Sequence, residues 1–145
     1  MIIKVLQSKV PKIWDAIKLA IVNVNEMDEE KTTYYLNKVL HNLLSGKANC
    51  FLIVSDSNKI KLIIITKIIV NDITVGRKLF VQLGYGYESS TQEEWNEGFD
   101  FVKQYARAEQ CDGIQFKTRN PKVHKIGSML GAKELYRYYE IKLGE

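Results

Sequence analysis

Between residues 60 and 70 the chain reads IKLIIITKIIV, and Ile63, Ile64 and Ile65 follow one another with no polar residue between them. Successive side chains of a strand point to opposite faces, so a run without alternation requires cover on both sides. The neighbouring sequence extends this into a sheet. CFLIVSD precedes the run across the turn-forming SDSN, and NDITVG leads out of it into RKLFVQLG, which together read as three antiparallel strands.

The covering layers come from segments with helical spacing. A helix is expected from near Pro11, with Ile13, Ile17, Ala20 and Val24 on one face. A second starts in the acidic MDEEKTT, carries Leu36, Val39, Leu40, Leu43 and Leu44, and stops at Gly46, as the helix dipole and the C-terminal geometry favour. Residues 91–109 place Trp95, Phe99, Val102 and Ala106 along one stripe. MIIKVL and GIQFKT read as strands, NPKVHKIGSML as a short helix and LYRYYEIKL as a closing strand. The expected fold class is α/β (α+β): a mixed, mostly antiparallel central sheet with helices on both faces, in the order β-α-α-β-β-β-α-β-α-β. No repeat or Pro/Gly/Ser-rich linker interrupts the chain, so residues 1–145 are expected to form a single domain.

Charge and cysteines narrow the function classes. A net charge of +4 is mildly basic, below what a dedicated nucleic-acid binder carries, and argues against nucleic acid as the partner. Cys50 and Cys111 stand far apart without metal-ligand spacing, so no metal site is expected and both read as reduced core residues. The start, MIIKVLQSKVPKIW, has Lys4 and Pro11 where a signal peptide would continue its apolar run. No charge-free stretch reaches membrane-spanning length, and the chain is expected in a cytoplasm.

Residues 83–98, LGYGYESSTQEEWNEG, pass from a strand through two glycines into a helix, a junction that can cradle phosphate on free N–H groups. Ser90 with Glu93, and Thr91 with Glu94, each satisfy the capping-box pattern that consumes those donors. An incoming anion would also meet Glu88, Glu93 and Glu94, a repulsion of about 1 kcal/mol per exposed neighbour. The plain turn with a self-capped helix is the favoured reading. A second anion candidate lies at Arg119, Lys122 and Lys125, with Lys117 nearby, around a helix start that Asn120 can cap; a solvated basic face is the simpler account. His124 could accept a proton near neutral pH, against the simpler reading of a surface histidine, and His41 reads as a helix-flank residue. In LYRYYEIKL, Tyr136 and Tyr138 share one strand face and Arg137 and Tyr139 the other, so one tyrosine face is expected in the core and the other at a sheet edge open to a partner. Tyr85 and Tyr87 are candidates for an exposed contact or for packing over the sheet end.

The order of elements, and the stretch TRNPKVHKIGSMLGAKELYRYYEIKL, resemble the GNAT acyltransferase superfamily over nearly the whole chain. Asn120 and Leu130-Gly131 stand at that family's separation, with Ala132 replacing its usual phenylalanine. EEWNEGFDFVKQYARAEQCDGIQFKTRN is also similar to small GNAT-like proteins of tailed bacteriophages. The resemblance implies acetyl-CoA as the cofactor if the chain is catalytic, held by Val81, Gln82, Leu83, Gly84, Gly86 and Asn120, with the fourth and fifth strands splayed around the pantetheine. Gln82, Gly84 and Gly86 form a pyrophosphate loop one residue too short, and Gly127 occupies the position of the usual general-acid tyrosine. Two readings follow: a divergent GNAT-like binding, accessory or virion-associated protein with a protein partner or self-association, and an N-acetyltransferase with a divergent cofactor loop.

Overall fold

The computed structural model describes residues 1–24, 29–70, 76–87, 90–118 and 121–144. Strand β1 (Ile2–Lys4) leads through a 3-10 segment (Gln7–Ile13) into α1 (Trp14–Val24) and α2 (Glu29–Ser45). Three strands follow, β2 (Asn49–Val54), β3 (Ile60–Val70) and β4 (Arg77–Gly86), then α3 (Gln92–Ala108), β5 (Gly113–Phe116) and α4 (Pro121–Met129). The five strands form one sheet in the order β1-β2-β3-β4-β5, antiparallel except for the parallel β4–β5 pair.

The isoleucine run of β3 divides two cores, as its lack of alternation requires. Ile63 and Ile65 join Cys50, Leu52 and Leu83 beneath α1 and α2, where Ile17, Ile21, Val39 and Leu43 are buried. Leu62 and Ile64 face the other way, with Ile53 and Leu79, against Val102 and Ala106 of α3. Phe51 points to the α3 side and meets Phe101 and Tyr105 edge-to-face, with ring centroids 5.2 and 4.9 Å away. Gly98 lets α3 sit this close, since a Cβ there would lie 2.9 Å from Leu62 Cδ2.

Five expectations are corrected. Pro11 lies inside the 3-10 segment and the α-helix starts only at Trp14, because proline can donate no N–H to a continuing helix. Val24 is exposed while Ile21 takes its place in the core. The closing strand over LYRYYEIKL is absent: residues 132–144 carry no regular secondary structure. Tyr136, Tyr138 and Tyr139 are all exposed, so neither tyrosine face joins the core. Finally, Cys50 is buried but Cys111 only half so. The NDITVG turn falls largely on residues 71–75, outside the described residues.

Candidate functional site

The site is built by an irregularity in β4. Thr66 pairs with Val81 and Ile65 with Leu83, so Gln82 is an extra residue with no opposite number on β3. A bulge of this kind bends the strand and changes which face later residues use. Leu79 and Val81 pack on the α3 side, whereas Leu83 packs under α1 and α2, a switch that strict alternation forbids. The bulged Gln82 turns to the α1/α2 side, where its Nε2 donates to Tyr35 Oη at 3.1 Å. Among the described residues its Oε1 is buried without a hydrogen-bond partner, as is Oγ1 of Thr66 across the ladder.

Pairing with β5 ends at the same place. Lys78–Val81 lie beside Gly113–Phe116, and β4 then runs on to Gly86 with β3 alone. The beginning of this pair is clamped: Lys78 Nζ meets Asp112 Oδ1 at 2.5 Å, Arg77 Nε donates to Glu109 O at 2.8 Å, and Asp112 N donates to Arg77 O at 2.9 Å. The two strands are thus clamped at one end, and at the other their pairing stops where β5 ends at Phe116, which leaves β4 from Gln82 to Gly86 beside β3 alone. Beyond the bulge, Tyr87 N donates to Lys61 O on β3 at 3.0 Å. By the alternation of an antiparallel ladder, Tyr85 and Leu83 turn the same way, and Gly84 and Gly86 turn N–H and C=O toward the gap. Gly84 is exposed there.

The aromatic residues at the end of β4 face α1. Tyr87 Oη donates to Ala16 O at 2.7 Å, Asn23 Nδ2 donates to Tyr85 Oη at 2.9 Å, and the two rings meet edge-to-face at 4.9 Å. Both tyrosines therefore pack over the sheet end. Burial, with Cys50 and Tyr85 adding to it, pushes the Tyr87 hydroxyl up to about 12. Burial alone raises the Cys50 thiol to about 12, which makes it a core residue and not a nucleophile.

At the start of α3 one of the two capping boxes forms. Thr91 N donates to Glu94 Oε1 at 2.8 Å, and Glu94 N donates to Thr91 Oγ1 at 3.2 Å. The Ser90–Glu93 alternative is not used: Ser90 N donates instead to Tyr87 O in the preceding turn. Two of the donors a phosphate would seek are occupied by the chain itself, and Glu88 lies outside the described residues.

The basic candidates are only partly placed. Arg119, Asn120 and the side chain of Lys122 lie outside the described residues, while Lys125 and His124 are exposed on α4. The carbonyl of His124 accepts from Ser128 Oγ at 3.2 Å. Lys117 turns to the C-terminal segment: its Nζ lies 3.1 Å from Tyr138 Oη and 4.2 Å from that ring's centroid. The ammonium holds the Tyr138 hydroxyl below its ordinary value. Gly127, the position of the tyrosine implied by resemblance, is filled from the other side, since a Cβ there would lie 2.7 Å from Phe116 Cζ. Among the described residues no group of three His, Cys, Asp or Glu could hold a metal ion, and no helix is long and apolar enough to cross a membrane.

Sequence reasoning missed the bulge and what lies beneath it. Between β4 and α3, Ile64, Val81, Gly84, Trp95, Phe99 and Val102 line an apolar hollow of about 90 Å³. The strand's own alternation hides it, because Leu79, Val81 and Leu83 read as one uninterrupted face.

This sheet, antiparallel except for its last pair and covered by α3 on one face and by α1 and α2 on the other, superposes on solved acetyltransferase structures. The fold is GNAT-like. A ribosomal-protein-alanine N-acetyltransferase from Brucella melitensis superposes with a TM-score of 0.71 at 13% identity, covering 99% of both chains. An aminoglycoside 6'-N-acetyltransferase from Acinetobacter baumannii gives 0.70 at 15% identity, again over 99% of both chains. A second aminoglycoside-type acetyltransferase, solved with a bisubstrate analogue that joins CoA to an acetylated aminoglycoside, gives 0.70 at 13% identity over 99% of this chain and 97% of its own. No family model matches the sequence, and no curated relative does.

Proposed function

We propose that the chain is an acetyl-CoA-dependent N-acetyltransferase with a divergent cofactor loop, built as one domain over residues 1–145. The carrying observation is the end of β4–β5 pairing at Val81 and Phe116, beside the bulge at Gln82, which leaves the outer edge of β4 at Gly84 and Gly86 without a paired strand among the described residues. An extended amide chain such as pantetheine can bond to that edge as a further strand would. The residues assigned to the cofactor are Val81, Gln82, Leu83, Gly84 and Gly86, and the resemblance adds Asn120. A bound thioester supplies an activated acyl carbon: the acceptor amine forms the new C–N bond, the C–S bond breaks, and the thiolate leaves. His124 is the candidate to take the amine's proton. Gly127 brings no proton donor to the sulfur, so solvent protonates the thiolate and turnover is slow.

The capping box and the filled space over Gly127 favour a second reading, a binding domain without transfer. In that reading the partner is a protein or a second copy, Arg119, Lys122 and Lys125 offer an anion surface, and a phage accessory or virion-associated role follows the resemblance. Calorimetric titration with acetyl-CoA and desulfo-CoA separates the two. Saturable binding of both, with slow acetylation of a primary amine, supports the enzyme; no heat at millimolar ligand removes it and leaves the binding domain.

A further inference from the structure

We infer that the hollow beneath Trp95 is an acyl-chain pocket that selects short apolar acyl groups longer than acetyl. This rests on the cofactor reading above and names its substrate class. The hollow touches Val81, which flanks the bulge where pairing with β5 ends, and Gly84, two residues beyond Gln82. It continues from the exposed backbone of Gly84 into the interface between the sheet and α3.

Its shape follows from glycine. At residue 84 the side chain on the α3 face is missing, and a Cβ built there would stand 3.7 Å from the Trp95 ring, within the space the hollow occupies. Its walls are aliphatic and aromatic, with no ionisable side chain among them. An unfilled apolar hollow holds water poorly and forfeits contacts between its walls, so a ligand methylene recovers both solvent exclusion and packing. A volume of about 90 Å³ has room for several heavy atoms beyond the carbonyl. An acetyl group would leave most of it empty, whereas a butyryl chain would fill it. A carboxylated acyl group such as succinyl would put an unpaired charge against these walls and is excluded.

Calorimetric titration of the intact protein with acetyl-CoA, butyryl-CoA and succinyl-CoA tests this. Two more buried methylenes give an expected affinity for butyryl-CoA about tenfold above that for acetyl-CoA. Succinyl-CoA is expected to bind more weakly than acetyl-CoA. In Gly84→Ala the new methyl meets Trp95 at ordinary contact distance and narrows the pocket, so the butyryl-to-acetyl ratio falls to about one. Equal affinities in the natural protein, or a ratio unchanged by Gly84→Ala, overturn the pocket and leave cofactor binding standing. No binding by any of the three thioesters overturns the cofactor reading itself, and the pocket with it. Trp95 emission gives a second readout, shifting with butyryl-CoA more than with acetyl-CoA if the chain lies against the indole.

Discussion

At the scale of single residues, two buried groups set how the protein responds to its surroundings. Thr66 is fully buried with its hydroxyl unpartnered among the described residues, a cost of about 1–3 kcal/mol for such a group. Thr66→Val keeps the shape and removes the orphan oxygen, so it is expected to raise the unfolding free energy by about 1 kcal/mol in urea titrations. Cys50 and Tyr87 act at high pH. Their ordinary values are 9.0 and 10.0, and each is pushed up to about 12 in the fold. Below pH 9 both states keep these protons and the full stability is present. As pH rises, the unfolded chain releases them first, holds fewer protons than the native state, and stability falls through the window from about 9 to 12. The loss from Cys50 is about 3 kcal/mol by pH 11. Urea midpoints measured at pH 8 and pH 11 should differ in this sense, and Cys50→Ala should flatten the difference. A thiol reagent should label half-exposed Cys111 in the native protein and reach Cys50 only on unfolding.

At the scale of elements, the bulge is the feature on which the site depends, and it can be removed cleanly. Val81 faces α3, while Gln82 and Leu83 both face α1 and α2. Deleting Gln82 therefore restores strict alternation and leaves every other residue of β4 on its present face. The deletion variant is expected to fold, losing about 1 kcal/mol with the Tyr35 hydrogen bond, and to keep its circular dichroism. With β4 straightened, affinity for acetyl-CoA should drop at least tenfold; unchanged affinity would place the cofactor elsewhere. This element also marks the limit of what the sequence makes legible. The isoleucine run shows a two-sided sheet, Gly46 and the acidic turn before α2 show its ends, and Thr91 with Glu94 shows the cap of α3, because each of these is a local constraint. The bulge has no local signature: RKLFVQLGYG reads as a regular strand until the two cores on either side demand otherwise. The half-open hollow and the contact of Gly127 with Phe116 are likewise products of packing between distant segments. The closing strand did not form for a related reason: LYRYYEIKL has the composition of a strand, but composition does not by itself pair a segment with an edge.

At the scale of the whole molecule, that unpaired segment is where the surface departs most from an ordinary soluble domain. Tyr139, Ile141 and Leu143 are 82%, 86% and 96% exposed, an apolar run that solvent contact does not favour. Its ties to the rest of the chain include the Lys117–Tyr138 contact, and internally the Arg137–Glu134 pair and the Tyr136–Tyr138 ring contact. Exposed pairs of this kind are screened by solvent and hold a segment only weakly. β5, meanwhile, is the last strand of the sheet, with one edge unpaired by any strand among the described residues. If a second copy uses this segment or the open edge of β5 as its partner strand, the pairing obeys mass action. Trypsin should then cut after Lys133 and Arg137 quickly in dilute protein and progressively more slowly as concentration rises, in step with dimer formation seen by sedimentation. The fragment cut at Lys133 should stay monomeric at every concentration and keep its cooperative unfolding, because both cores lie before that residue. Cleavage at the same rate across a hundredfold range of concentration would mean that the exposed segment stays unpaired, and that the open edge of β5 is available to a different partner.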